Sequence, residues 1–517
     1  MRKSMGFGGL LLLAACSGGA DSSGGSVSGP PPLPTLSVTL DRTAQSQAAS
    51  ETDSRANFSF VATYSGSADG AIYPQLSFDG TVLAQTGSIA QAGNSYTVSL
   101  QSLAGLGADP RTGDVTFRLC RDAGCSQVYP GSTQTFRYSL DVKLLDWEMF
   151  QRNAAHTAYV HASFDPARIA KLWDKTFTDT GTFRPVATRG DTLFVTRKAV
   201  NTSVYALDGA TGTQRWAYDL GPVYSAGGPT VTGDQLQIVS MVSSSGSNRI
   251  VTLDTNGQFV RNSLFASQWS TFAQPTAIGR ELYLASGYYG NVVYGYDLDS
   301  GATRWTANGV SGRVWDGAVT AADSQYVYYY SGSLDVFRRS DGSLVKSIAD
   351  PFWVWNGYSY AGGPILGSNK NAIAYSGSGM GTYPVSFPLV NYDVEGGKVA
   401  WRTAASYSIA PALAKGLLFA ASNAQGQLDA IGEDDGKVRW SWPLPVGEQF
   451  LGNIIVTDNL VFFSTTAKVY AVSLTGTHAT AWSAPTPGTL AIAAGGRLIV
   501  TPAETSNAPT ITSYSLR

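Results

Sequence analysis

From residue 170 onward the chain repeats one arrangement of apolar and polar positions. A short run with alternating apolar residues ends on a polar residue, a Gly turn follows, and a second run reaches Trp four residues after the Gly. The clearest copy runs Val204-Tyr205-Ala206-Leu207-Asp208 through Gly212 to Trp216. The turn glycines recur at Gly212, Gly257, Gly301, Gly342, Gly397, Gly436 and Gly476, with one longer step between Gly342 and Gly397. Trp216, Trp305, Trp401 and Trp440 fill the slot after the turn, Arg261 and Lys346 stand there in two copies, and Trp482 serves the last. Strand–turn–strand units recurring at roughly 40 residues predict a β-propeller. Seven units are complete. Residues 169–177 form a last strand without partners, and residues 490–500 and 510–516 are partners without a last strand. The two ends predict an eighth blade built from both, which leaves no unpaired edge at the seam. A Trp recurring at one blade position reads as packing between blades.

Residues 35–143 change period. Phe58-Ser59-Phe60-Val61-Ala62 and Val115-Thr116-Phe117-Arg118-Leu119 are short alternating runs, and Gly, Asp and Ser turns separate such runs. This predicts a β-sandwich. It resembles an immunoglobulin or fibronectin type III module, although the segment has no Trp. Cys120 and Cys125 flank an Asp-Ala-Gly turn, so a hairpin could join them, and a disulfide is the expected outcome in an oxidising compartment. A two-Cys metal or redox site is the alternative. The sandwich would serve as a spacer or as an adhesion-type module.

The first residues carry a different pattern: Arg2 and Lys3, a Leu10–Leu13 run, then Leu13-Ala14-Ala15-Cys16. Basic, apolar, then small residues form a secretory leader too short to span a bilayer. The Leu-Ala-Ala-Cys ending resembles a bacterial lipobox. That resemblance implies a lipid on Cys16 and, with Ser17 following, an outer-membrane location facing the periplasm or the surface. Residues 17–34 are Gly, Ser and Pro with no apolar stripe, a tether. The expected organisation is therefore 1–15 leader, 16–34 lipidated Cys and tether, 35–143 sandwich, and 147–517 propeller.

The entry segment from Trp147 to Thr157, together with the Asp–Thr–Gly–Trp repeats, resembles the pyrroloquinoline-quinone-like propeller superfamily. An eight-bladed propeller behind a lipobox is also partly similar to the lipid-anchored propeller of the outer-membrane barrel assembly machine. The resemblance implies a non-enzymatic envelope lipoprotein that presents a propeller face to a protein or a glycan, with no cofactor and no metal. One alternative is a quinoprotein dehydrogenase using pyrroloquinoline quinone and calcium. Such enzymes typically carry adjacent cysteines in the propeller, whereas this propeller has no Cys and the chain has no Cys-x-x-Cys-His. A carbohydrate-active propeller would need paired carboxylates in its central depression.

Composition narrows the partners. Charged residues make up 14% and the net charge is −2, so the chain has neither a basic stripe nor a basic tail for nucleic acid. The between-blade connections, and those between second and third strands, should emerge on one face. Along the chain that face would receive Tyr224, Trp269, Phe272, Tyr288, Tyr289, Arg313, Trp315, Trp353, Trp355, Tyr358, Tyr360, Tyr407 and Phe450. Gathered aromatics mark a binding rim; equally they could cap the core. No hydrolase or phosphate-loop motif stands in a convincing context. His156 is expected to fix the entry segment through hydrogen bonds, and Glu433-Asp434-Asp435 to be a solvated turn.

Overall fold

The computed structural model describes residues 34–517 apart from 53–54, 244–245, 267–273, 287–291, 312–318, 354, 357–362, 377, 380–385 and 504–505. Cys16 and the tether up to residue 33 lie outside the described residues. The sandwich strands follow from alternating apolar positions, whereas central blade strands such as Leu460–Thr465 are buried at every position. In Asn57–Ser65 and Ser95–Ser102, alternate residues such as Phe58, Phe60, Val98 and Leu100 are buried while their neighbours face solvent.

The N-terminal part contains two sheets. One orders Ser37–Leu40, Asn57–Ser65, Ser95–Ser102 and Leu83–Gln85; the other orders Ala44–Ser50, Gln134–Lys143, Arg111–Cys120 and Tyr73–Ser77. Phe58 and Phe60 of the first meet Phe117, Phe136 and Tyr138 of the second in a shared core. Cys120, at the end of its strand, is bonded to Cys125. The Asp122 carboxylate shapes the intervening turn by accepting from the Ser126 and Gln127 amides at 3.0 and 2.9 Å.

Eight sheets of four or five strands follow. Blade 1 holds Ala187–Arg189, Thr192–Lys198, Thr202–Asp208 and Gln214–Gly221; blade 2 holds Thr230–Thr232, Gln235–Ser243, Gly246–Asp254 and Phe259–Phe265. Blades 3 to 7 begin at Thr276, Ala321, Ile365, Ala412 and Phe450. The eighth takes Thr489–Ala493, Arg497–Thr501 and Thr510–Ser515 from the end of the chain and its outer strand, Ala170–Thr176, from the beginning. That closing pair is antiparallel, from Ala170 opposite Ser515 to Thr176 opposite Thr510. The inner strands of neighbouring blades meet around the ring, blades 5 and 6 meeting instead through Lys398–Tyr407 and Leu417–Ser422, and the inner strand of blade 1 meets that of blade 8, so the ring is closed.

The residue after each turn glycine ties its blade to the next. Trp173 lies on Gly212, Trp216 on Gly257, Trp305 on Gly342 and Trp401 on Gly436. Each indole Nε1–H donates to a carbonyl of the neighbouring turn: Gly209, Thr255, Arg339 and Glu433, at 2.8–3.0 Å. Arg261 and Lys346 perform the same task with different chemistry. Arg261 Nη2 donates to Leu298 O and Asp299 O, and Lys346 Nζ to Val394 O and Glu395 O. Trp440 instead stacks on His478 in the turn of blade 7, and Trp482 meets the Tyr514 ring edge-on.

Glu433 corrects one expectation. It is buried, not solvated, because it bridges blades 5 and 6: its Oε1 accepts from the Ser368 amide at 2.6 Å and from Ser368 Oγ at 2.8 Å. Asp434 and Asp435 do face solvent and pair with Arg439.

Residues 144–158 wind once around the hub and reach the blades in ring order. Leu144 N–H donates to Ala494 O of blade 8. The amides of Thr188, Val231, Ala322, Leu366, Leu413 and Val456, in blades 1, 2, 4, 5, 6 and 7, then donate to the carbonyls of Trp147, Glu148, Ala154, Ala155, Thr157 and Ala158. In blade 3 the Ala277 amide meets Met149 Sδ at 3.5 Å. The thread thus satisfies inner-strand donors that no further strand could reach. To turn so tightly it takes positive φ at four non-glycine residues, Gln151, Arg152, His156 and Ala158 (48°, 80°, 58° and 49°), a conformation costing on the order of 1 kcal/mol or more per residue.

Candidate functional site

Strand direction defines the two ends of the ring. Inner strands run toward the end that carries the first-to-second and third-to-fourth turns, and the connections between blades emerge at the other, the rim end. The N-terminal sandwich sits on the turn end. Leu106 bridges to Ser163, Asp109 pairs with Arg168 at 2.9 Å, Ala108 lies against Gly496, and Gly105 lies against Asp458. The rim end carries none of these contacts.

Among the described residues, Tyr224, Phe352, Trp353 and Trp355 belong to connections at the rim end. Tyr224, between blades 1 and 2, is 44% exposed, and Lys198 Nζ lies 5.7 Å from its ring while donating to its carbonyl. Phe352 is 48% exposed under the Arg402 guanidinium, 4.9 Å from its ring. The turn that presents Phe352 is built by Asp350, whose Oδ1 accepts from the Phe352 amide at 2.9 Å and whose Oδ2 accepts from the Tyr330 hydroxyl at 2.7 Å. Trp353 is half-buried against the core shared by blades 4 and 5. Trp355 belongs to a two-residue strand, Trp355–Asn356, paired with Ser378–Gly379. Trp269, Phe272, Tyr288, Tyr289, Arg313, Trp315, Tyr358 and Tyr360 lie outside the described residues.

Tyr407 and Phe450 do not belong to a rim. They are 1% and 2% exposed. Tyr407 is the last residue of Lys398–Tyr407, and its hydroxyl reaches inward to donate to Asp429 Oδ2 at 2.9 Å. Phe450 begins an inner strand and packs on Trp442 and Phe463. Both strands run further toward the rim than alternation suggests, so side chains expected in connections become core.

Sequence reasoning also passed over a pair of buried carboxylates beneath the rim. Asp335 and Asp429 occupy the same repeat position, where blades 1 and 3 carry Tyr205 and Tyr294. Each accepts from a serine on the adjacent outer strand, Ser347 or Ser441, at 2.6 Å. The other oxygen of Asp335 takes the Val310 amide at 2.6 Å and so anchors the start of the connection that carries Arg313 and Trp315. Burial pushes the Asp335 carboxyl above the usual carboxylate range. An acidic residue in an otherwise apolar or aromatic column was the signal available for this pair. At the seam of blades 8 and 1, Arg197 is 1% exposed, holds Asp179 at 2.8 Å, and lies over Phe177 and Phe183.

His156 is fully buried in the hub thread. Its Nδ1 lies 3.0 Å from Pro364 O, which assigns the proton to that nitrogen, and its ring meets Phe150 edge-on. Burial lowers its pKa to about 4, so it is neutral near pH 7. Among the described residues no three His, Cys, Asp or Glu side chains gather to hold a metal ion. What the rim end offers is exposed aromatic surface beside cations, a surface for contact.

The family described as outer membrane protein assembly factor BamB matches residues 156–260, 203–441 and 386–505. No curated protein matches the chain. Solved structures include the crystal structure of BamB from Moraxella catarrhalis, at 17% identity and a TM-score of 0.49, covering 67% of this chain and 97% of that one. The C-terminal WD40 domain of Sif2 is similar at 10% identity and 0.46, covering 67% and 98%. The quinohemoprotein alcohol dehydrogenase from Comamonas testosteroni is similar at 14% and 0.41, covering 72% and 80%.

Proposed function

The chain belongs to the family described as outer membrane protein assembly factor BamB, and from that membership we propose that it is a non-catalytic envelope lipoprotein whose propeller rim binds another protein. The observation that carries this reading is the division of labour between the two ends of the ring. The sandwich packs on the turn end, while the exposed Tyr224 and Phe352 stand at the opposite, rim end. Such a protein, held by a lipid on Cys16, would face its rim away from the outer membrane. Aromatic side chains beside Lys198 and Arg402 suit the centre of a protein interface, where Tyr, Trp and Arg dominate. A glycan could stack on the same rings. Among the described residues no helix is long and apolar enough to cross a membrane.

The test is capture of envelope proteins from a detergent extract by the full-length lipoprotein and by a Tyr224→Ala/Phe352→Ala variant. One defined partner, lost in the variant without a fall in melting temperature, supports the reading. A partner retained at full yield by a folded variant overturns the rim as the interface. Cys16→Ala should move the protein from the membrane to the soluble fraction; retention after a high-salt wash would remove the lipid anchor from the proposal.

A further inference from the structure

We infer that Glu51 of the sandwich is a latch that holds the hub thread in its strained path, so that the position of the sandwich sets the conformation of residues 363–366, where the chain enters blade 5 at the rim end. Glu51 follows Ala44–Ser50, an outer strand of the sandwich, and its side chain leaves the sandwich to enter the hub. There it meets Arg152 in a two-pronged pair, Nη1 to Oε1 at 2.7 Å and Nη2 to Oε2 at 2.5 Å, with both side chains 4% exposed. The same carboxylate accepts from the Leu145 amide at 2.7 Å and from the His161 amide at 2.7 Å. One sandwich residue thereby holds the thread before, within and after its turn.

Arg152 in turn holds the thread's two limbs together, donating to Leu145 O and to Tyr159 O. A charge pair buried this deeply is satisfied only while both units are docked. Without Glu51, Arg152 would be a buried cation facing carbonyls alone. Its own φ of 80° would lose the contact that fixes it.

The thread continues directly to the rim connection. Four residues of hub turn separate Arg152 from Thr157. Within them the Ala155 carbonyl accepts from the Leu366 amide at 2.9 Å, and His156 Nδ1 donates to Pro364 O at 3.0 Å. Gly363 lies directly against the His156 ring, where a Cβ would come within 2.9 Å of it. Residues 363–366 end the connection that presents Phe352 and enter the inner strand of blade 5. Sandwich, Arg152, hub turn, His156 and residues 363–366 are thus in unbroken contact from one end of the ring to the other. The alternative role, an inert spacer on a flexible joint, leaves the buried charge of Glu51 without purpose.

Backbone hydrogen exchange on the full-length protein tests this whatever the rim binds. In Glu51→Gln, which keeps one acceptor oxygen but loses the charge, exchange should rise tenfold or more in residues 144–158 and also at 363–366. It should stay unchanged at Val438–Pro443, the outer strand of blade 6, which pairs with Gln427–Gly432 away from the hub. The paired change Glu51→Leu/Arg152→Met removes both charges and should bring both segments back toward the parent rates. Unchanged exchange in 144–158 overturns the latch. Exchange raised in 144–158 but unchanged at 363–366 overturns the coupling to the rim. A uniform rise through all blades, not corrected by the paired change, shows that Glu51 merely supports the fold and overturns both. If the rim-binding function fails its own test while exchange behaves as described, the latch stands.

Discussion

Arg261 lies over Gly301, its guanidinium reaching the Leu298 and Asp299 carbonyls at 2.7 and 2.6 Å, where neighbouring blades use an indole. The shared requirement of the slot is a flat or extended group that covers a glycine and carries an N–H donor. Arg261→Ala should cost roughly 1–3 kcal/mol, chiefly through two unpaired carbonyls, and Trp305→Ala about 3–5 kcal/mol through the lost ring. Arg261→Trp should be tolerated. Chemical unfolding checks all three, and Arg261→Trp falling as far as Arg261→Ala would show that the arginine has a separate role.

The eighth blade depends on residues 510–517. Their deletion leaves Ala170–Thr176 without its partner and opens the ring, so the loss should reach several kcal/mol. Deleting an equal length from a connection at the rim end should cost far less. Equal melting temperatures for the two truncations would mean that the ring closes by another route.

His156 makes stability depend on pH. Its folded pKa of about 4 lies below the unfolded 6.5, so the unfolded chain binds the proton more readily between those values. The stabilising contribution is complete above about pH 6.5 and is lost as pH falls toward 4, about 2 kcal/mol between pH 7.5 and 5. Glu148 in the same thread, raised by burial and then by Asp146, acts with the opposite sign. The difference between the parent and His156→Gln isolates the histidine. The parent should lose stability faster on acidification, and parallel pH curves would refute this.

The Cys120–Cys125 bond closes a short loop, so removing it by Cys120→Ser/Cys125→Ser should cost no more than roughly 2 kcal/mol. Titration of the unfolded, unreduced protein should find neither thiol free. Two titratable thiols would remove the bond.

What could be read in the sequence was what local alternation and repetition encode. The turn glycines and the slot after them rest on residues whose neighbours in space recur at a fixed spacing, and the closing of the eighth blade followed because the incomplete units at the two ends of the repeat complement each other. Side chains whose partners lie far off in sequence were invisible. Glu51 and Arg152 are 101 positions apart, and nothing near either one signals the other. Glu433 looked like part of a solvated acidic run because its partner, Ser368, is in the preceding blade. Tyr407 and Phe450 were misplaced by only a residue or two at strand ends, where a small shift exchanges core for surface. The Asp335–Asp429 correspondence stands in the column of third strands and was passed over.

The seam between Ala170–Thr176 and Thr510–Ser515 also has a consequence in time. Thr176 and its partner Thr510 are 334 residues apart, and at ribosomal rates of about 5–20 residues per second the earlier strand waits roughly 17–67 s for the later one. Throughout that interval the nascent chain carries a strand edge with no native mate, a template for pairing with other chains. Biogenesis therefore asks for a holding factor, or for delayed collapse, over that period, and overproduction should fail first by aggregation of newly made chains rather than by unfolding of finished ones.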